Sequence, residues 1–143
     1  MAIEWSESID SVDWNELEAM YRAAPLGNKD AAQLRTVFTN SLHRCFVYED
    51  ARLVGAGRVL GDGADAAYLC DVAFLPSHQG SGLGTQLVAR LIELSQGHRK
   101  IILYSVPGRE GFYKRFGFRR MATAMAIFEN PEAMARRGYL SDL

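Results

Sequence analysis

The stretch Gln79-Gly80-Ser81-Gly82-Leu83-Gly84 constrains this chain most, because three alternating glycines separate an apolar run ended by Pro76 from an amphipathic helical pattern. A turn of this kind aims several backbone N–H groups and the positive end of a helix dipole at one spot, where phosphate oxygens can sit. Glycines let those oxygens come close. A dinucleotide fingerprint in this frame needs glycine where Thr85 stands, and it follows the first strand of a βαβ unit. A triphosphate-binding P-loop needs lysine after the last glycine, and Thr85 occupies that place too. Two readings of the loop remain at this point: a different phosphate cradle, or a plain flexible connection.

The flanking pattern tells what the loop connects. Ile3 to Ser6 reads as a short strand, Asp13 as the N-cap of a helix from Trp14 to Ala24, and Asp30 as the N-cap of a second helix through Leu34, Val37, Phe38 and Leu42. From His43 the pattern turns extended: Cys45 to Tyr48, Leu53 to Leu60 and Ala66 to Leu75, separated by turns at 49–51 and 61–63, predict an antiparallel meander. After the glycines a helix is expected from Leu83 to Gln96, with Leu83, Leu87, Leu91 and Leu94 on one face and Gly97 as its stop. Ile101 to Tyr104 reads as a central strand, Gly108 to Phe116 as a short helix, Phe118 to Phe128 as extended chain, and Asn130 to Arg137 as a last helical turn.

At 143 residues, 48% hydrophobic and 23% charged, the chain is expected to form one globular domain over residues 1–143. Cys45 and Cys70 each sit in an apolar stretch and read as inert buried thiols; no metal is implied. Met1 to Glu7 is acidic where a signal peptide is basic, and the densest apolar stretch, Ala64 to Leu75, carries Asp65 and Asp71, so a cytoplasmic protein without a membrane span is expected. A net charge of −1 argues against a nucleic-acid or membrane-surface binder. Residues 1–65 hold six basic and eleven acidic side chains and residues 66–143 ten and six, a polarity that suits an anionic ligand at one end and a cationic one at the other.

A second motif follows the central strand: Glu110-Gly111-Phe112-Tyr113-Lys114-Arg115-Phe116-Gly117-Phe118. Together the two resemble the GCN5-related N-acetyltransferase family. Its acyl-CoA loop, Gln or Arg, two residues, Gly, one residue, Gly or Ala, is matched by Gln79, Gly82 and Gly84, and its later Tyr-x-x-x-Gly-Phe pattern by Tyr113, Gly117 and Phe118. The order of elements agrees over nearly the whole chain. The resemblance implies the acyl-CoA N-acyltransferase fold: a mixed, mostly antiparallel sheet flanked by helices, with a V-shaped splay between the strand ending at Leu75 and the strand Ile101 to Tyr104.

It also implies site residues. The loop Gln79, Gly80, Ser81, Gly82, Leu83, Gly84 and Thr85 would hold the pyrophosphate of acetyl-CoA, the cosubstrate, and Val72 and Phe74 would offer backbone groups to the thioester carbonyl and the peptide-like pantetheine arm. An N–H aimed at that carbonyl stabilises the oxyanion of the tetrahedral intermediate. Tyr113 is the candidate general acid toward the leaving thiolate, and Arg115 a candidate phosphate contact within the basic run that follows it. For the general base, Tyr68 stands where histone-modifying relatives carry a carboxylate; Asp71 is the nearest carboxylate, on the opposite face from Val72 unless a bulge intervenes. His43 and His78 are weaker candidates.

The function implied is acetyl transfer from acetyl-CoA to a primary amine by direct attack in a ternary complex. The acceptor is expected to be a small molecule, such as an aralkylamine or polyamine, near the two N-terminal helices with Trp14, Tyr21 and Phe38; most of these aromatics read as packing onto the sheet, so the expectation rests on the acidic field and a pocket near the Ala24 to Asp30 loop. The alternatives are acetylation of protein lysines or N-termini, and a silent CoA-binding regulatory module. Expected partners are acetyl-CoA and the amine, without nucleic acid or membrane, with a homodimer left open.

Overall fold

The computed structural model describes residues 2–142, in two compact units, one ending at Leu103 and one beginning at Tyr104. The first unit is a five-stranded sheet in the order β1-β2-β3-β4-β5: Ile3–Ser6, His43–Glu49, Arg52–Gly61, Ala66–Phe74 and Lys100–Ile102. Pairing is antiparallel from β1 to β4 and parallel between β4 and β5. This is the expected mixed, mostly antiparallel sheet.

Helices cover both faces. Helix α1 (Trp14–Ala23) begins where the Asp13 carboxylate accepts the N–H groups of Asn15 and Glu16, and α2 (Ala31–Thr39) begins with a capping box between Asp30 and Gln33. Their apolar stripes, Leu17, Met20 and Tyr21 on α1 and Leu34 and Phe38 on α2, are buried, with Phe38 and Phe46 ring centroids 5.1 Å apart. Helix α3 (Leu83–Leu94) buries Leu87, Val88 and Leu91, so the expected stripe rotates slightly: Val88 enters the core, and Leu83 and Leu94 are only half-buried. A methyl on Gly57 would sit 2.9 Å from Leu91 Cδ1, while the neighbouring Arg58 reaches Asp71 near α1. Side chains alternate along a strand, so α1 and α3 lie on opposite faces of β3.

The splay is visible in the last ladder. Strand β5 pairs with β4 at three positions, Ala66, Ala67 and Tyr68 against Lys100, Ile101 and Ile102, and the ladder ends there while β4 runs on to Phe74. Strand β5 is thus shorter than the expected Ile101 to Tyr104.

The second unit holds α4 (Glu110–Lys114) and α5 (Pro131–Arg136), the latter capped by the Asn130 side chain. Phe118 to Phe128 was expected to be extended, and the structure assigns no strand to it. A strand is defined by a ladder, and here Met125 and Ile127 lie 79% and 103% exposed with no ladder across them. Among the described residues no helix is long and apolar enough to cross a membrane.

Candidate active site

The glycine loop is shaped by backbone conformation that only glycine adopts easily. Gly80 and Gly82 have φ of +77° and +87°, and Gly82 is the N-cap of α3 without any side-chain cap. The first-turn N–H groups at Leu83 and Gly84 therefore have no acceptor within the helix. A methyl on Gly80 or Gly82 would meet nothing within 4 Å, so the space over the loop is open. The loop is also anchored: Gln79 Nε2 donates to the carbonyls of Ala24 at 3.0 Å and Phe74 at 2.9 Å, and the Ser81 hydroxyl donates to the His78 carbonyl. Thr85 is half-buried. An exposed, uncapped helix start behind an open glycine turn suits phosphate oxygens.

Strand β4 carries an extra residue against β3. Arg58 pairs with Cys70 but Ala56 pairs with Ala73, so Gly57 faces two residues, Asp71 and Val72, and Asp71 is left-handed at φ +56°. The extra residue reverses which groups face outward. Ala66 O accepts from Asp62 N and Leu75 N donates to Val54 O; Ala66, Tyr68 and Cys70 therefore face β3 before the bulge, and Ala73 and Leu75 face it afterwards. The Val72 carbonyl and the backbone groups of Phe74 are thereby turned to the splayed edge, and the Val72 N–H points opposite to the Asp71 carbonyl that Tyr21 holds; without the bulge Val72 and Phe74 would face β3. The Phe74 carbonyl is found there, held by Gln79. The Phe74 ring lies over Gly55, where a methyl would come within 2.5 Å of Phe74 Cδ1, and Val72 Cγ2 lies beside Leu91 and Leu87 over Gly57.

The bulge that would bear on Asp71 is therefore present, and the Asp71 carboxylate lies on the α1 side, away from the Val72 side chain. It is engaged by two cations, Arg58 Nε at 2.8 Å and Lys29 Nζ at 3.5 Å, and its carbonyl accepts the Tyr21 hydroxyl at 2.7 Å. Tyr68 sits at the last β4–β5 pair, opposite Ile102. Neither cysteine is set up as a nucleophile: burial pushes both thiols up to about 11.

Tyr113 and Arg115 belong to the second unit. Tyr113 lies on α4 with its ring edge-on to Phe112 and Phe118, and burial holds its phenol above the ordinary value against the opposing effect of Arg109. It therefore keeps its proton at neutral pH. The Arg115 guanidinium stands 4.8 Å from the Phe112 ring centroid.

Two arrangements were not anticipated. His78 is a half-buried link, its ring nitrogens 2.8 Å from Ser77 Oγ and 3.1 Å from Glu49 Oε1. The Arg58–Asp71–Tyr21 cluster joins β3, β4 and α1; the apolar setting of Arg58 was the one signal for it. The N-terminal aromatics pack as expected for most of them: Tyr21 and Phe38 are buried, and Trp14 abuts Phe38 and Phe46. The nearby carboxylates are occupied too, Glu16 by Leu53 N and Glu18 by Ala31 N and Arg22.

Residues 41–120, more than half of the chain and reaching into both units, match the model of the acetyltransferase (GNAT) domain family. The chain is a member of the GNAT acetyltransferase family. Among curated proteins this GNAT chain is similar to GCN5-related N-acetyltransferase 1, chloroplastic, of Arabidopsis thaliana, 34% identical over 76% of the chain and 57% of the relative. It is also similar to serotonin N-acetyltransferase 2, chloroplastic, of rice (Oryza sativa subsp. japonica), 41% identical over 47% of the chain and 34% of the relative. The chain thus spans little more than half of the first relative and about a third of the second. Among solved structures, a GNAT family acetyltransferase of Streptococcus pneumoniae superposes with a TM-score of 0.74 at 24% identity, covering 90% of this chain and 97% of that one. AAC(6')-Iy, solved with the bisubstrate analogue CoA-S-monomethyl-acetylneamine, gives a TM-score of 0.67 at 17% identity over 91% and 98% of the two chains. Acetyl-CoA is the family's cosubstrate, and the open glycine turn and the outward-facing β4 edge fit its phosphates and its amide-bearing arm.

Proposed function

We propose that this GNAT protein transfers the acetyl group of acetyl-CoA to a small primary amine by direct attack. The observation that carries the reading is the bulge at Asp71, which turns the Val72 carbonyl and the Phe74 backbone outward beside the glycine loop and frees the Val72 N–H from the regular strand alternation. In the reaction the amine nitrogen bonds to the acetyl carbon and the carbon–sulfur bond breaks. The Val72 N–H donates to the carbonyl oxygen as negative charge collects on it. Tyr113 gives its proton to the departing sulfur and regains one from solvent, into which the amine nitrogen loses its proton, because Arg58 and Lys29 already hold the Asp71 carboxylate. An amine with a pKa near 10 is mostly protonated at neutral pH, so turnover should rise with pH through the neutral range. The serotonin acetyltransferase relative supports a small amine as acceptor.

The test is acetyl-CoA-dependent thiol release and N-acetyl product formation across a panel of small amines, amino acids and lysine peptides, with CoA binding measured by calorimetry. Acetylated small amines are the expected result. Binding without turnover on any amine, or turnover on peptides alone, overturns the small-molecule reading.

A further inference from the structure

The bulge at Asp71 breaks the regular strand. Asp71 is a non-glycine residue at φ +56°, a region that Asp enters more readily than most residues but that a strand does not itself maintain. Three side chains converge on this one residue from two other elements and a loop. Arg58, on the facing strand, is 8% exposed and donates through Nε to Asp71 Oδ2 at 2.8 Å. Its Nη1 also reaches the buried Ser41 hydroxyl at 3.4 Å, which itself donates to Val37 O. Lys29 contributes a longer contact from the α1–α2 loop. Tyr21, buried on α1, donates its hydroxyl to the Asp71 main-chain carbonyl. The carboxylate and the peptide group of one residue are thus gripped separately, which fixes both the side chain and the peptide plane leading into Val72.

We infer that Tyr21 and Arg58 are positioning residues for acyl transfer: by clamping Asp71 they hold the extra residue in β4 and so aim the Val72 N–H at the acyl carbonyl. Neither touches a substrate. The inference rests on the acyl-CoA reading above and adds to it what maintains the N–H donor. An ion pair with one partner buried could serve stability alone; the grip on the peptide carbonyl from helix α1 is what points to geometry.

The test separates aim from stability. Acetyl-CoA has the thioester carbonyl and CoA does not, so the ratio of their dissociation constants reads the N–H donor while the glycine loop cancels. Tyr21→Phe and Arg58→Met should move that ratio toward parity by about two- to tenfold, the range of one neutral hydrogen bond, with CoA affinity itself retained. Asp71→Asn, which tolerates the left-handed region and keeps an acceptor for Arg58, should preserve the wild-type ratio. Amide exchange in the ligand-free protein gives an independent reading: Ala73, whose N–H faces β3 only because of the bulge, should exchange at least several-fold faster in Tyr21→Phe than in wild type. An unchanged ratio in both Tyr21→Phe and Arg58→Met, with both variants folded, overturns the positioning role. Wild-type protein that binds neither CoA nor acetyl-CoA overturns the acyl-CoA reading instead, and Ala73 exchange then decides the clamp: faster exchange upholds it and unchanged exchange removes it.

Discussion

Gly82→Ala separates the conformational role of the glycine loop from its binding role. Gly82 sits at φ +87° with nothing within 4 Å of the added methyl, so the substitution causes no clash inside the protein. Its cost is the left-handed backbone, about 1–2 kcal/mol, offset in part by about 0.4–1 kcal/mol from the stiffer unfolded chain. A net loss of about 1 kcal/mol corresponds to a Tm lower by roughly 3–5 °C for a chain of this size. Gly97, past the other end of α3, has φ +97° and equally open space, so Gly97→Ala should cost about the same stability. The two variants part company in binding. If phosphate oxygens rest on the loop, the Gly82 methyl occupies their space and misaims at least one N–H. A charge-assisted hydrogen bond is worth about 1.5–3 kcal/mol, so CoA affinity should fall about ten- to a hundredfold in Gly82→Ala and stay unchanged in Gly97→Ala. Thermal melts and calorimetry with CoA on the two variants make the comparison. Equal CoA affinity in both, at equal loss of stability, would show that the loop is only a turn.

Three further outcomes follow from particular contacts. Tyr113→Phe should lower turnover by about a hundredfold at saturating substrates with CoA affinity kept, and an unchanged rate removes Tyr113 as the proton donor. Gly55→Ala drives a methyl to 2.5 Å from Phe74 Cδ1, so it should cost about 1–3 kcal/mol of stability and displace the Phe74 ring; a variant that melts like wild type would contradict that packing. Asp62 accepts the N–H groups of Ala64, Asp65 and Ala66 in the β3–β4 turn, which holds its carboxyl down at about 2. Because the folded value lies below the unfolded one, its stabilisation is full above about pH 4–5 and is lost as pH falls toward 2; urea melts of wild type and Asp62→Asn should converge there, and a constant difference down to pH 2 refutes the assignment.

What the sequence makes legible is local. Asp13 and Asp30 cap the helices they precede because an N-cap is a contact between residues two or three apart. The glycine turn, the β2–β3–β4 meander and the stop after α3 are equally short-range. The bulge at Asp71 is legible only in part: Asp71 interrupts the apolar run from Ala66 to Leu75, but the side chains that meet it come from 13 and 50 residues away, at Arg58 and Tyr21. The segment from Phe118 to Phe128 fails for the converse reason: its residues suit a strand, but strand structure is conferred by a partner, and no local pattern supplies one.

Charge shows the same divide between composition and use. The acidic surplus of residues 1–65 suggests a field that gathers cations, yet six of those carboxylates accept backbone N–H groups: Asp13, Glu16, Glu18, Asp30, Asp50 and Asp62. Acidic side chains accumulate there because two helix starts, two tight turns and a strand edge need acceptors. An amine entering near the Ala24 to Asp30 loop would meet Lys29 beside Asp71 and Arg22 beside Glu18, opposite charges already paired. Accepting an N–H leaves each carboxylate charged, so the acidic surplus of this half persists; on the proposed reading it attracts any amine at low ionic strength, and discrimination among amines of equal charge falls to shape and short-range hydrogen bonds.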